Sequence, residues 1–257
     1  MELRKALPTK QIIIPVVVTA LLICIWEAAV DTGVIANFLL PSPLQVLSAM
    51  IRDKDLLCAH GITTITEAIL GLFWGCILGF IVAILMDSSP FIHAALNPLI
   101  TISQTIPTIA IAPLLVLWLG YDLLPKVVLV IITTFFPITI SLVTGFASVD
   151  PQTINLMKIM NARPWQVFLH VKLPCALNHF FSGLSISATY AIIGAVIAEW
   201  LGGISGLGVY MIRVRKSFSY DKMFAVIFLT SALSLVLMGA VRALEHICMP
   251  WKKVERK

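Results

Sequence analysis

Charged residues are scarce in this chain of 257 residues, in which Asp, Glu, Lys and Arg together make up 12%. A soluble domain carries about 25% and needs these charges to keep its surface in water. Hydrophobic residues reach 59%, which excludes an intrinsically disordered chain and a nucleic-acid-binding protein. The composition therefore predicts an integral membrane protein in contact with a lipid bilayer.

Residues suited to catalysis or metal binding are also sparse. The five cysteines are scattered without a C-x-x-C pair, which argues against a disulfide framework or a zinc site. The chain has no phosphate-binding G-x-x-x-x-G-K-S/T loop, no H-E-x-x-H motif and no nucleophile elbow. We therefore expect no catalytic residue, no metal, no cofactor and no ATPase site.

Long apolar runs are abundant. A helix needs about 20 apolar residues to cross about 30 Å of hydrocarbon. Six runs approach or exceed that length, and they predict an all-α polytopic membrane protein with about six transmembrane helices and both termini on one side. The six runs are Ile12–Val30, Ile62–Met86, Ala94–Leu119, Pro125–Ala147, Ala176–Ala198 and Met223–Ile247.

Lys and Arg near the span ends favour cytoplasmic termini. Eleven basic residues flank the spans on the side of the termini and seven on the other side, and cytoplasmic loops carry the excess. Arg213, Arg215 and Lys216 oppose this bias, because they fall in the stretch from Glu199 to Lys222, which is predicted to be an outer loop.

Small residues in the second span indicate close helix packing. Gly71, Gly75 and Gly79 recur at a strict spacing of four, which allows helix backbones to approach each other in a membrane. We expect this face to pack on a neighbouring helix.

Proline interrupts the third and fourth spans. Pro107, Pro113 and Pro137 each remove a backbone hydrogen bond and should kink or break their helix. Such breaks need neighbouring protein or water, so these spans are expected to face the interior. Gln104 and Pro107 place a polar residue beside a break and are predicted to line a substrate pathway; a packing role is the alternative for Pro107.

Carboxylates within the apolar runs are candidates for function, because hydrocarbon makes them costly. Glu27 and Glu199 lie near the predicted outer interface, and we expect both to be solvated. Glu67 lies little more than one turn into the second span, within reach of the headgroups.

A helical hairpin is predicted between spans four and five, at residues 150–174. Asp150 is an N-cap followed by proline, and Asn161 is suited to a left-handed helix end. Pro164 opens a second short helix, which Leu173-Pro174 should end before span five begins. The apolar side chains available to fill a groove are Leu156, Ile159, Met160, Trp165 and Phe168.

This hairpin resembles the coupling motif of ABC transporter permeases from binding-protein-dependent import systems. Asn161-Ala162 takes the place of the family's Gly-Ala, and Leu173-Pro174 that of its closing Leu-Pro. The sequence departs from the motif where Leu156–Lys158 replaces its acidic-alanine part. Further stretches similar to the nitrate, sulfonate, taurine and thiamine-precursor importers are 103–120, 136–150, 198–202 and 205–208.

The resemblance implies a type I ABC importer permease fold, with residues 1–257 as a single transmembrane domain in a bacterial plasma membrane. It implies a homodimer that binds two cytoplasmic ATP-binding subunits and receives solute from an extracytoplasmic binding protein. The residues that it assigns to ATPase coupling are Asp150, Leu156, Met160, Asn161, Ala162, Trp165, Phe168, Leu173 and Pro174.

The resemblance also suggests a substrate, because the pieces at 198–202 and 206–211 are most similar to permeases for pyrimidine precursors of thiamine. Sulfonates, taurine and nitrate follow, since a basic external loop at 213–216 would suit anions. Pairing of these residues with an acidic surface of the binding protein and a solvated loop are the two other interpretations. Two rival functions are an ion-coupled secondary transporter and an intramembrane enzyme. The first requires an internal repeat and coupled buried charges, and the second clustered His, Asp or Ser within the spans.

Overall fold

The computed structural model describes residues 7–250, and within that range the regular structure is helical throughout. Eleven α-helices and one π-helical turn, Phe168–Lys172, make up this part of the chain. The α-helices are α1 (Leu7–Asp31), α2 (Pro43–Arg52), α3 (Lys54–Ser88), α4 (Pro90–Ser103), α5 (Thr108–Leu119), α6 (Leu123–Ala147), α7 (Pro151–Ile159), α8 (Pro164–Val167), α9 (Leu173–Gly202), α10 (Leu207–Lys216) and α11 (Tyr220–Cys248).

The helices account for about six membrane crossings, as predicted. Among the described residues, five helical stretches are long and apolar enough to cross a bilayer: α1, α3, α6, the continuous stretch Pro164–Gly202, and α11. Helices α4 and α5 together are long and apolar enough for a sixth crossing, and the bend of 97° between them is typical of a broken span or a re-entrant loop.

Pro107 produces the break in the third span. It occupies the N-cap of α5 with extended backbone (φ −61°, ψ 120°), and the four residues 104–107 separate α4 from α5. Proline lacks a backbone donor and disfavours helical conformation in the residue before it, here Ile106. The predicted interruption is therefore confirmed at this position.

The other two prolines were predicted to kink or break their helices, and neither of them breaks its helix. Pro113 lies inside α5 and Pro137 inside α6, and both helices continue past them. Near Pro137, the Ser187 hydroxyl of α9 donates a hydrogen bond of 2.8 Å to the Thr134 carbonyl. This bond ties α6 to α9 one residue after Thr133, whose carbonyl lacks its helical donor because of Pro137, so the helix is held by a neighbour at this level.

The described residues form two compact units, of which the first comprises residues 7–58 and 211–229. Within this unit the Trp26 ring lies 6.0 Å from that of Phe228. Lys222 forms an ion pair of 2.6 Å with Asp53, so the loop before α3 is tied to the start of α11.

The second unit comprises residues 59–210 and 230–250, and in it α6 packs chiefly against α9. The glycine face of α3 lies against α6, as expected. A Cβ atom at Gly79 would lie 3.0 Å from Cγ2 of Ile138, and one at Gly75 would collide with the hydroxyl of Thr134. These glycines therefore allow a helix contact that a larger side chain would prevent.

Candidate functional site

The first arm of the hairpin is built as its capping residues predicted. The Asp150 carboxylate accepts a hydrogen bond of 3.0 Å from the backbone N–H of Gln152, and Pro151 begins α7. Asn161 adopts a left-handed conformation with φ of 59°. The following N–H, of Ala162, donates to the Met157 carbonyl at 3.0 Å, which closes the end of the helix.

The second arm differs from the prediction, because Leu173-Pro174 does not end it. Helix α8 runs through the π-helical turn directly into α9, giving one helical stretch from Pro164 to Gly202. In the π-helical turn the N–H of Leu173 donates to the Phe168 carbonyl, five residues earlier. This wider turn accommodates the ring of Pro174, which in an α-helix would clash with the carbonyl four residues before it.

The hairpin has an exposed apolar tip. Ile159 is 82% exposed and Trp165 is 67% exposed, and Leu156 and Met160 are exposed as well. Helix α7 is too short and polar to count among the membrane spans. The other exposed apolar residue, Trp165, lies near the start of the helical stretch Pro164–Gly202. Exposed large apolar side chains of this kind are typical of a surface for a protein partner.

The base of the hairpin is packed into the second unit. Val167 is buried, and the Phe168 ring lies 5.5 Å from the buried ring of Phe146 in α6. Phe168 was predicted to fill a partner's groove, but it is half-buried here. The predicted coupling residues thus divide into an exposed set, Asp150, Leu156, Met160, Asn161 and Trp165, and a half-buried set, Ala162, Phe168, Leu173 and Pro174.

A cavity of about 390 Å³ opens at the break between α4 and α5. Gln104 and Pro107 both line it, with Thr133 of α6 and Tyr190 of α9 on other sides. None of the lining residues is charged. The structure therefore brings both predicted pathway residues to one cavity, whose polar groups are neutral amides and hydroxyls.

A buried polar cluster at the end of α9 corrects the expectation that Glu199 is solvated. Glu199 is 1% exposed, and its carboxylate accepts hydrogen bonds from the Thr64 hydroxyl (2.6 Å) and the backbone N–H of Gly208 (2.5 Å). The reason is the turn after α9, which folds back over this side chain and places Gly206 and Gly208 directly against it.

This cluster caps the first turn of α10. The N–H of Gly206 donates to Nδ1 of His60 at 3.0 Å, and that of Leu207 to the Thr64 hydroxyl at 2.9 Å. The first backbone N–H groups of a helix have no acceptor within the helix. Here three of them in succession, at residues 206–208, donate to side chains of the cluster. The predicted outer loop is consequently ordered, and Arg213, Arg215 and Lys216 lie on a helix.

A second buried pair joins α3 to α6. Lys126 donates to the Glu67 carboxylate at 2.7 Å, and their side chains are 6% and 0% exposed. Glu67 therefore does not reach the headgroups, and Lys126, counted among the outer charges that flank the spans, is buried within α6. A glutamate inside a span and a lysine at the start of another are a complementary pair that could have been matched from the sequence.

The arrangement of the helices, with a broken third span and a helical segment before the fifth, is the type I ABC importer permease fold. Among solved structures, the chain resembles the inward-facing methionine transporter MetNI with a TM-score of 0.67 at 18% identity, covering 75% of this chain and 95% of that one.

Residues 75–246 match the family described as "Binding-protein-dependent transport system inner membrane component", and the chain belongs to this family. It is 37% identical to a probable ABC transporter permease protein of Haemophilus influenzae, over 90% of this chain and 95% of the relative. It is 36% identical to the formylaminopyrimidine transport permease protein ThiX of Halalkalibacterium halodurans, over 93% and 96%.

Proposed function

We propose that this permease is the membrane subunit of an ATP-driven importer, working as a homodimer with two cytoplasmic ATP-binding subunits and an extracytoplasmic solute-binding protein. Both termini and the hairpin lie in the cytoplasm, and α10 lies on the outer side, towards the binding protein. ATP binding closes the ATPases, moves the hairpins and reorients the cavity between the two sides.

The exposed apolar tip of the hairpin is the observation that carries this proposal. Leu156, Ile159, Met160 and Trp165 form a surface that a helix-binding groove on an ATPase subunit would cover. The half-buried base beneath them fixes the hairpin to α6 and α9, so force applied at the tip reaches the spans.

Introducing negative charges at the tip of the hairpin is expected to prevent the ATPase subunits from co-purifying with the permease. The double substitution Ile159→Asp and Met160→Asp places two carboxylates where the groove requires apolar contacts, and should lower co-purification of the ATPase at least about tenfold. Asn155→Asp, an exposed polar position on α7, is the matched control. Equal recovery of the ATPase with the double variant and with the control would contradict docking at the tip.

For the solute we propose an uncharged, hydrogen-bonding heterocycle of the formylaminopyrimidine type. The cavity offers Gln104, Thr133 and Tyr190 as neutral donors and acceptors, and its volume is within the usual range for small-molecule sites. A pathway for sulfonate, taurine or nitrate would be served by a cation in the cavity, and the lining supplies none.

Replacing Gln104 by leucine is expected to reduce uptake of an aminopyrimidine about tenfold, because an amide that pairs with the solute is lost from the cavity. Uptake into proteoliposomes with ATPase and binding protein measures the effect. Thr101→Leu is the control, since it changes an exposed polar residue of α4 outside the cavity lining. Normal uptake by the Gln104 variant would remove this residue from the pathway.

An ion-coupled secondary transporter is the second candidate, favoured by the buried carboxylates of Glu67 and Glu199. Lys126 already neutralises Glu67, and Glu199 caps α10, so both carboxylates have structural partners. Depleting ATP and collapsing the ion gradient in separate uptake experiments distinguishes the two candidates. Uptake that survives ATP depletion and stops with the gradient would establish the secondary transporter.

A further inference from the structure

An ion pair connects the base of the hairpin to the end of α3. The Lys172 ammonium donates to both carboxylate oxygens of Asp87, at 2.7 and 2.9 Å. The two side chains are 23% and 18% exposed, so the pair is largely shielded from water. It joins two segments separated by 85 positions in the sequence.

The helix in which Asp87 lies gives no reason for an acidic residue at that position. Asp87 is the penultimate residue of α3, where the partial negative charge of the helix C-terminus disfavours a carboxylate. Lys172 offsets this cost from another element. The carboxylate is therefore explained by its contact with the hairpin base rather than by the stability of α3 itself.

Lys172 is placed by an unusual backbone. It ends the π-helical turn Phe168–Lys172, a conformation found mostly as single turns at functional sites. At the other end of that turn the Phe168 ring packs on Phe146 of α6. The hairpin base thus contacts α6 at one end and α3 at the other, while it continues covalently into α9.

We propose that Asp87 and Lys172 are positioning residues for coupling, which transmit the displacement of the hairpin to α3. This inference rests on the proposed function, since it requires an ATPase that moves the hairpin. Helix α3 also meets α9 directly, where the Phe80 ring lies 6.3 Å from that of Phe180. The ion pair adds a contact between the hairpin base itself and the end of α3, so a displacement of the base reaches this end of α3 without passing through α9.

Lys172→Met in the reconstituted transporter is expected to separate ATP hydrolysis from uptake. The ATPase should co-purify and hydrolyse ATP at nearly the normal rate, while uptake of an aminopyrimidine falls about tenfold, within the usual range of coupling between distant sites. The double variant Asp87→Lys with Lys172→Asp should restore most of the uptake. Lys54→Met, an exposed lysine at the opposite end of α3 from Asp87, is the control and should leave both rates unchanged.

The outcomes separate this inference from the proposed function. Equal loss of hydrolysis and uptake in Lys172→Met, or loss of the ATPase from this variant alone, would overturn the coupling role and leave the proposed function intact. An ATPase that fails to co-purify with the unmodified chain would contradict the proposed function itself.

A distance measurement tests the inference without removing the ion pair. Spin labels at Ser88 and Leu169, both exposed, would report on the end of α3 and the base of the hairpin, in a chain whose native cysteines are replaced by serine. The distance between them should be the same in the nucleotide-free and ATP-bound transporter. A change on ATP binding would show that the two segments move independently and would overturn the inference.

Discussion

Replacing Lys126 by methionine is expected to lower the free energy of unfolding by about 3–5 kcal/mol, the cost of leaving one member of a buried ion pair alone. Glu67 is fully buried, and its second carboxylate oxygen has no hydrogen-bond partner among the described residues. Its other titratable neighbour, Glu199, is an acid, so the Lys126 ammonium is the cation that balances Glu67. Unfolding in mixed micelles of a mild and a denaturing detergent measures the loss.

Two further variants isolate the cause. Glu67→Leu combined with Lys126→Met should recover most of the stability, because two apolar side chains replace the pair without leaving a charge. Arg52→Met is the matched control: it also removes a cation 3.0 Å from a carboxylate, but Arg52 is 59% exposed, so less than about 1 kcal/mol is at stake. A Lys126 variant no less stable than the Arg52 variant would contradict the dependence of Glu67 on Lys126.

The membrane-spanning architecture could be predicted from the sequence because hydrocarbon imposes strict requirements on backbone and side chains alike. Runs of about 20 apolar residues can be recognised without knowledge of their neighbours. Local capping rules were similarly sufficient for the start of α7 at Asp150 and its left-handed end at Asn161. In each case the interactions that decide the structure lie within a few residues along the chain.

The effect of each proline was predicted correctly at one position and not at others, because that effect depends on neighbouring elements. Pro107 breaks the third span, whereas Pro137 is accommodated in α6 beside α9, and Pro174 lies in a helix that a π-helical turn makes continuous. Whether a helix continues past a proline depends on how neighbouring elements pack around it. No pattern within a single span contains that information.

The buried charges were misplaced for the same reason. Glu199 lies at the end of an apolar run, where solvent is the simplest partner, but the turn at residues 203–206 folds over it. Lys126 lies at the start of the predicted fourth span, where the outer interface is the simplest environment for a charge, although it reaches Glu67, 59 positions earlier in the sequence. Hydropathy measures the local composition and cannot assign partners across the chain.

Gly206→Ala is expected to cost about 3 kcal/mol or more in the free energy of unfolding. Gly206 has φ of +124°, a backbone conformation that other residues rarely adopt, and such strain costs about 1–3 kcal/mol. The added Cβ would also overlap the Glu199 carboxyl group. Moving that group weakens its hydrogen bonds to Thr64 and Gly208, and each such bond contributes about 0.5–1.5 kcal/mol.

Gly61→Ala is the matched control, because a Cβ there meets no other atom within 4 Å and the residue lies inside α3. Alanine at a compatible helical position should stabilise the protein by about 0.5–1 kcal/mol. Protease cleavage in the segment 203–216 provides a local readout, since loss of the cap frees the first turn of α10 and should expose this segment. Unchanged cleavage and stability in Gly206→Ala would mean that the Glu199 cluster does not hold α10 in place.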